Sequence, residues 1–208
     1  MCSSDLQTLA AKKLSRFREY AAIYPEAVFV FVGDNGQGDV LCAEILYSSA
    51  RQAAGTRPSP LLASFIHRVA PLGSTLSMLR SSKASKGEWM AAWAQRGIYF
   101  HRSHVGMAVQ AHSMGLMDEE ALHHVASAAV MDFRRVAGRY SGRHAGRYLA
   151  KALKHLNADL QAANAQLVEQ PEVPLLEDVL GFTTCTRRAA DQEEPLSPAP
   201  SAITGVAH

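Results

Sequence analysis

Long apolar runs are absent from this chain. No window approaches about 18 uninterrupted apolar residues, so no membrane-spanning helix is expected. Cysteine is scarce. Cys2, Cys42 and Cys185 are odd in number and far apart, which excludes a disulfide framework and the paired spacing of a zinc site. Buried or incidental thiols in a reducing compartment are the expectation. Charge of one sign is also lacking. The formal net charge is +2 with nine histidines uncounted, too mild to imply nucleic acid by itself. The opening MCSSDLQTLAAKK has no basic-then-apolar leader pattern, and Cys2 stands where myristoylation requires glycine. A cytoplasmic protein is expected. What the chain does have is 208 residues, 48% of them hydrophobic, enough for one domain with a real core, or one domain plus a tail.

The most informative stretch is Phe29 to Asp39, FVFVGDNGQGD. Its four apolar residues, Phe29 to Val32, suit a buried parallel strand. The strand ends at Gly33 and delivers Asp34 at its carboxyl end. A tight loop, Asn35-Gly36-Gln37-Gly38, then leads to Asp39 and a new helix. Two carboxylates at that edge are well placed to hold a hard cation such as Mg²⁺. A plainer reading makes Asp39 a helix N-cap and Asp34 a turn former. Gly36 and Gly38 let the backbone turn tightly, and their amides are candidates to face an anion.

Spacing predicts helices over 5–24, 39–54, 88–96 and 104–115, and strands over 28–32, 61–67 and 98–101. Residues 70–86, rich in Ser with Pro71 and Gly73, read as a long loop. Asp118 caps a helix with Leu122, Val125, Ala129 and Phe133 on one face. Strands alternating with helices imply an α/β parallel sheet. From Arg134 the character changes. Arg135, Arg139, Arg143, Arg147 and Lys151 recur every four residues, interleaved with Gly138, Gly142 and Gly146. This winding band is a candidate surface for anionic lipid, nucleic acid or a protein partner, or else a solvated cationic face. Leu149, Leu153, Leu156, Leu160, Ala163 and Leu167 form an amphipathic helix, read as core packing before a coiled-coil seam. His101 and His104, with His67, fall at strand ends that share an edge with Asp34, and are candidates to face a ligand.

Ahead of the strand, Lys13 lies 20 residues before Gly33, on a predicted helix closed by Pro25. The order is lysine, helix, proline, apolar strand, Gly-Asp, glycine loop, Asp. It resembles the last two motifs of the haloacid-dehalogenase-like phosphohydrolases. More narrowly, KLSRFREYAAIYPEAVFVFVGDNGQGD is similar to the corresponding segment of the actin-patch phosphatidate phosphatase catalytic domain. The resemblance covers roughly residues 8–136. It implies a partial Rossmann-like parallel sheet, a Mg²⁺-dependent phosphatase ancestry, and a phosphorylated small molecule or phospholipid as ligand. It further implies that Lys13 stabilises developing charge, with Lys12 one residue out of register, and that Asp34 and Asp39 serve the metal.

That family also carries an early D-x-D-x-[TV], whose first Asp is the nucleophile. No D-x-D occurs in this chain, so no nucleophile is assigned. The expectation is the later portion of such a domain over 1–136, or a truncated, non-catalytic descendant. A basic, leucine-bearing helix over 137–168 and a largely disordered tail over 169–208 complete it.

Overall fold

A computed structural model describes residues 3–36, 38–53, 61–78, 86–139 and 143–176. Ten elements follow one another: α1 (Ser3–Ile23), β1 (Phe29–Asp34), α2 (Asp39–Ala53), β2 (Leu61–His67), α3 (Leu72–Met78), α4 (Lys86–Gln95), β3 (Ile98–His101), α5 (His104–Ser113), α6 (Glu119–Ala137) and α7 (Arg143–Asn164). The three strands form one parallel sheet in the order β1-β2-β3. The chain is thus mixed α/β with a parallel sheet.

Register fixes what each face of the sheet carries. Phe31, Ser64 and Ile98 lie in one row, and Gly33, Ile66 and Phe100 in the next. Side chains alternate between faces along a strand, so these two rows share a face. Val40, Ala43, Leu72 and Trp93 from α2, α3 and α4 close over Ile66 and Ile98 there. Ala10 of α1 meets Cys42 and Leu46 of α2 beside Phe31 and Leu61. Gly97 stops α4 at φ +71°, a left-handed conformation that favours glycine.

A second core contains no strand residue. Val105 and Ala108 of α5, Leu122, Ala126 and Val130 of α6, and Leu156, Leu160, Ala163 and Leu167 around α7 pack together. The leucine spacing of α7 therefore serves packing within this chain. Asp118 caps α6 by accepting from the Ala121 amide at 2.8 Å. Gly106 of α5 lets α7 come close: a Cβ there would lie 2.8 Å from the Asp159 carboxylate.

Three expectations need correction. β1 is not buried on both faces. It is one of the two edge strands among the described residues, and Val30 and Val32 are 42% and 59% exposed. The apolar run of Phe29–Val32 suits a covered strand, but only one face of it meets helices. Second, the segment expected as a loop over 70–86 contains α3, whose Leu72 and Thr75 are buried. Its short length and serines hid any periodicity. Third, residues 169–176 are not loose. Val173 and Leu176 are fully buried. Asn164 both donates to and accepts from Val173, and Asn157 accepts from the Leu176 amide. Nothing helical or alternating marks that stretch in sequence. Residues 177–208, including the rest of the expected tail, lie outside the described residues.

Glu119 secures the start of this return segment. Its carboxylate accepts from the amides of Glu169 and Gln170 at 2.6 and 3.0 Å. The amide of Gln170, then burial acting in the opposite direction, then Glu169 and its neighbours, set a net shift below the ordinary glutamate value. A depressed carboxylate contributes stability above its unfolded value and loses it as pH falls through the folded one. Acidification through the usual carboxylate range is therefore expected to lower the protection factors of Gln170 and Val173, each taken relative to its intrinsic exchange at that pH. Unchanged protection in Glu119→Gln at neutral pH would refute this role.

Candidate functional site at the carboxyl end of the sheet

The loop after β1 places Asp34, Asn35 and Asp39 within one turn of backbone, and α1 brings Lys13 to them. Lys13 Nζ donates to Asp39 Oδ1. The other Asp39 oxygen, Oδ2, accepts from the Asp34 amide at 3.0 Å. Asp39 is 3% exposed and Lys13's side chain 39%, so the pair sits at the mouth of the site, carboxylate inward. Residues 26 apart in sequence are joined here, and the partner is Lys13, not Lys12. Lys12 instead lines, with Lys13, Arg16, Phe17 and Phe31, an open cleft of about 340 Å³.

Gly33 has a role the sequence did not disclose. A Cβ at this position would lie 2.7 Å from both Cβ and Cγ of Asp39. Only glycine lets the α2 carboxylate reach back onto the end of β1. Gly36 has a similar reason: its amide donates to Asp34 Oδ1 at 2.7 Å, and a Cβ would stand 3.1 Å from Val69 Cγ2. That amide is thereby engaged within the loop. Gly38 offers its carbonyl to the Cys42 amide at 2.9 Å, beginning α2. Gln37 lies outside the described residues.

Asn35 was also missed. Buried to 3% exposure, it donates to the Ala70 carbonyl at 2.8 Å and to Thr75 Oγ1 at 2.9 Å. Its Oδ1 accepts from the Ala70 amide at 2.9 Å. One side chain thus ties the β1 loop to the segment after β2 and to α3. Cys42, one turn beyond Asp39, has its thiol pushed up to about 11, first by burial, then by the Asp39 charge, against an opposing pull from Lys13. It is a packing residue with no thiolate character.

The histidines fall where expected. Asp34, His67 and His101 form one row across the three strands. His67 Nε2 lies 3.1 Å from the Arg102 carbonyl, and its ring centroid is 5.1 Å from that of His104. Burial pushes His101 below the ordinary histidine value, opposed by Asp159. Its Nε2 meets no partner among the described residues.

Mg²⁺ demands near-octahedral oxygen ligation, typically one or two carboxylates plus waters and phosphate. Both Asp39 oxygens are committed, one to an ammonium, and Asp34 Oδ1 accepts from Gly36. Among the described residues no group of three or more His, Cys, Asp or Glu converges as a metal site. A cation at Asp34 would therefore meet Asp39 with an ammonium already beside it. Lys13 supplies the neutralising charge at Asp39.

The fold and site together define a parallel α/β protein with a lysine–carboxylate pair and an Asp-Asn turn at the carboxyl end of β1. No family model, curated protein or solved structure matches the chain. No helix of the described residues is long and apolar enough to cross a membrane.

Proposed function

We propose that this chain carries the lysine-and-carboxylate half of a haloacid-dehalogenase-like phosphohydrolase site and performs no phosphoester turnover on its own. The observation that supports this most is the pairing of Lys13 with Asp39 beside Asp34. The three positions singled out by resemblance, spread over two motifs, meet at one point. Its ligand would be a phosphorylated small molecule or phospholipid headgroup in a cytoplasmic setting. Lys13, partly exposed beside a cleft with two further cations, is positioned to meet the charge of a phosphoryl group.

Turnover through a covalent intermediate requires a free nucleophile held against phosphorus. Asp39 is held by Lys13 and a backbone amide, and the only other site carboxylate among the described residues is Asp34, folded onto its own turn. The full chain with p-nitrophenyl phosphate and Mg²⁺ is expected to release no nitrophenol above buffer. Hydrolysis that disappears in Asp34→Ala would overturn the reading.

The alternative, a binding module built on the arginine band, gains less. Arg135 already pairs with Asp132 at 2.9 Å. Arg139, Arg147 and Lys151 are exposed, and the side chain of Arg143 lies outside the described residues.

A further inference from the structure

Two arginines, Arg68 and Arg102, stand together at the carboxyl end of the sheet. Arg16 meets Glu19, Arg96 meets Glu44 and Arg135 meets Asp132. Among the described residues, neither Arg68 nor Arg102 meets a carboxylate. Arg68 follows β2, and its amide donates to the His101 carbonyl at 2.8 Å, which sets it beside the end of β3. Its Nε is buried and finds no acceptor among the described residues. A buried guanidinium donor without an acceptor is costly. Arg102 aggravates the situation, since burial and then the Arg102 charge both push Arg68 below its ordinary value.

α7 adds more positive charge. Arg102 Nη1 lies 2.9 Å from His155 Nδ1 and 3.1 Å from Nε2. An arginine nitrogen only donates, so the facing imidazole nitrogen must accept, and the ring is neutral in this contact. Burial, then Arg102, Lys151 and Lys154, hold His155 below its ordinary value, with Asp159 opposing. Asp159 does not cancel the cluster. Its Oδ2 accepts from Ser103 Oγ at 2.6 Å and lies over the first turn of α5. The amino end of α5 is thereby already served from within the chain.

We propose that Arg68 and Arg102, rimmed by Lys151 and Lys154 of α7, form a binding site for a phosphate group at the carboxyl edge of the sheet. Arg68 lies about one strand spacing, roughly 5 Å, and Arg102 about two, roughly 10 Å, from Asp34 across His67 and His101. A phosphate dianion matches both requirements. It supplies acceptors to an unmet guanidinium donor and balances two adjacent arginines, whose planar forks suit phosphate oxygens. This inference does not depend on Lys13 or on phosphohydrolase ancestry.

The test is titration of the full chain at low salt with inorganic phosphate, glycerol 3-phosphate, and phosphatidylcholine vesicles with and without phosphatidate. Affinity for phosphate is expected to fall about tenfold or more in Arg68→Gln/Arg102→Gln. Arg135→Gln, a paired surface arginine, is expected to leave it unchanged. Binding of glycerol 3-phosphate with the same loss identifies a soluble phosphate ester. Binding only of phosphatidate vesicles, with the same loss, identifies a lipid headgroup. No binding of any probe, or equal binding by the double variant, overturns the site. Should the double variant fail to fold, the wild-type protein still decides. Phosphate must shift the side-chain NMR signals of Arg68 and His155, and shifts confined to other residues refute the proposal.

Discussion

Asp39→Ala is expected to lower the unfolding free energy by about 3 kcal/mol. The substitution removes the acceptor of a backbone amide and the partner of an ammonium at once. Asp39 is nearly fully buried, so the Asp34 amide loses its acceptor in a site where water is scarce. Lys13's side chain, 39% exposed, rehydrates once its partner is gone, which keeps the loss at the lower end for a broken buried pair. Lys13→Met should cost less than Asp39→Ala if the amide contact matters independently. The double variant should show a coupling of about 1–2 kcal/mol. Urea unfolding of the four proteins of this cycle provides the measurement. Additive effects, or a loss below about 1 kcal/mol in Asp39→Ala, would mean that Lys13 and Asp39 merely lie near each other.

A larger loss, about 4 kcal/mol, is expected for Trp93→Ala. Trp93 is fully buried. Its ring stands 4.6 Å from Phe100 and 5.4 Å from Trp89, centroid to centroid. Its Nε1 donates to Glu44 Oε1 at 2.8 Å, and Arg96 reaches the same oxygen at 3.4 Å. Truncation would leave a cavity between α4 and the sheet and remove one of two donors to that carboxylate. Trp93→Phe keeps most of the packing and should cost about 1–2 kcal/mol. Tyr148→Ala, at a 78% exposed position, should stay within about 0.5 kcal/mol of the parent. Thermal unfolding of the three variants tests the ordering. Equal losses in Trp93→Ala and Tyr148→Ala would place the helical layer outside the cooperative core.

Much of the local structure is legible in the sequence. The apolar runs at Phe29–Val32, Leu61–His67 and Ile98–His101 all became strands, and the caps at Asp118 and Gly97 stand where their residue types put them. Each signal resides in neighbouring residues, because strand alternation, helix periodicity and caps are properties of a few consecutive side chains. The resemblance carried by the Lys13–Gly33 spacing further implied the residues that meet at Asp39. The site's supports were not legible. Gly33 is required by a carboxylate six residues onward that folds back on it, and Asn35 by a carbonyl and a hydroxyl 35 and 40 residues away.

By itself the sequence determined the three strands, most of the helices and the parallel sheet, since these follow from short-range patterning, while the grouping of Lys13, Asp34 and Asp39 was implied by the family resemblance. Only the tertiary structure decided which face of β1 stays open, that α3 fills an expected loop, and that Val173 and Leu176 return to the core. It alone engaged Asp39 with an ammonium and brought Arg68 beside Arg102, neither paired with a carboxylate among the described residues. Those outcomes depend on which distant groups become neighbours, and burial, pairing and unmet charge exist only once the chain has closed on itself.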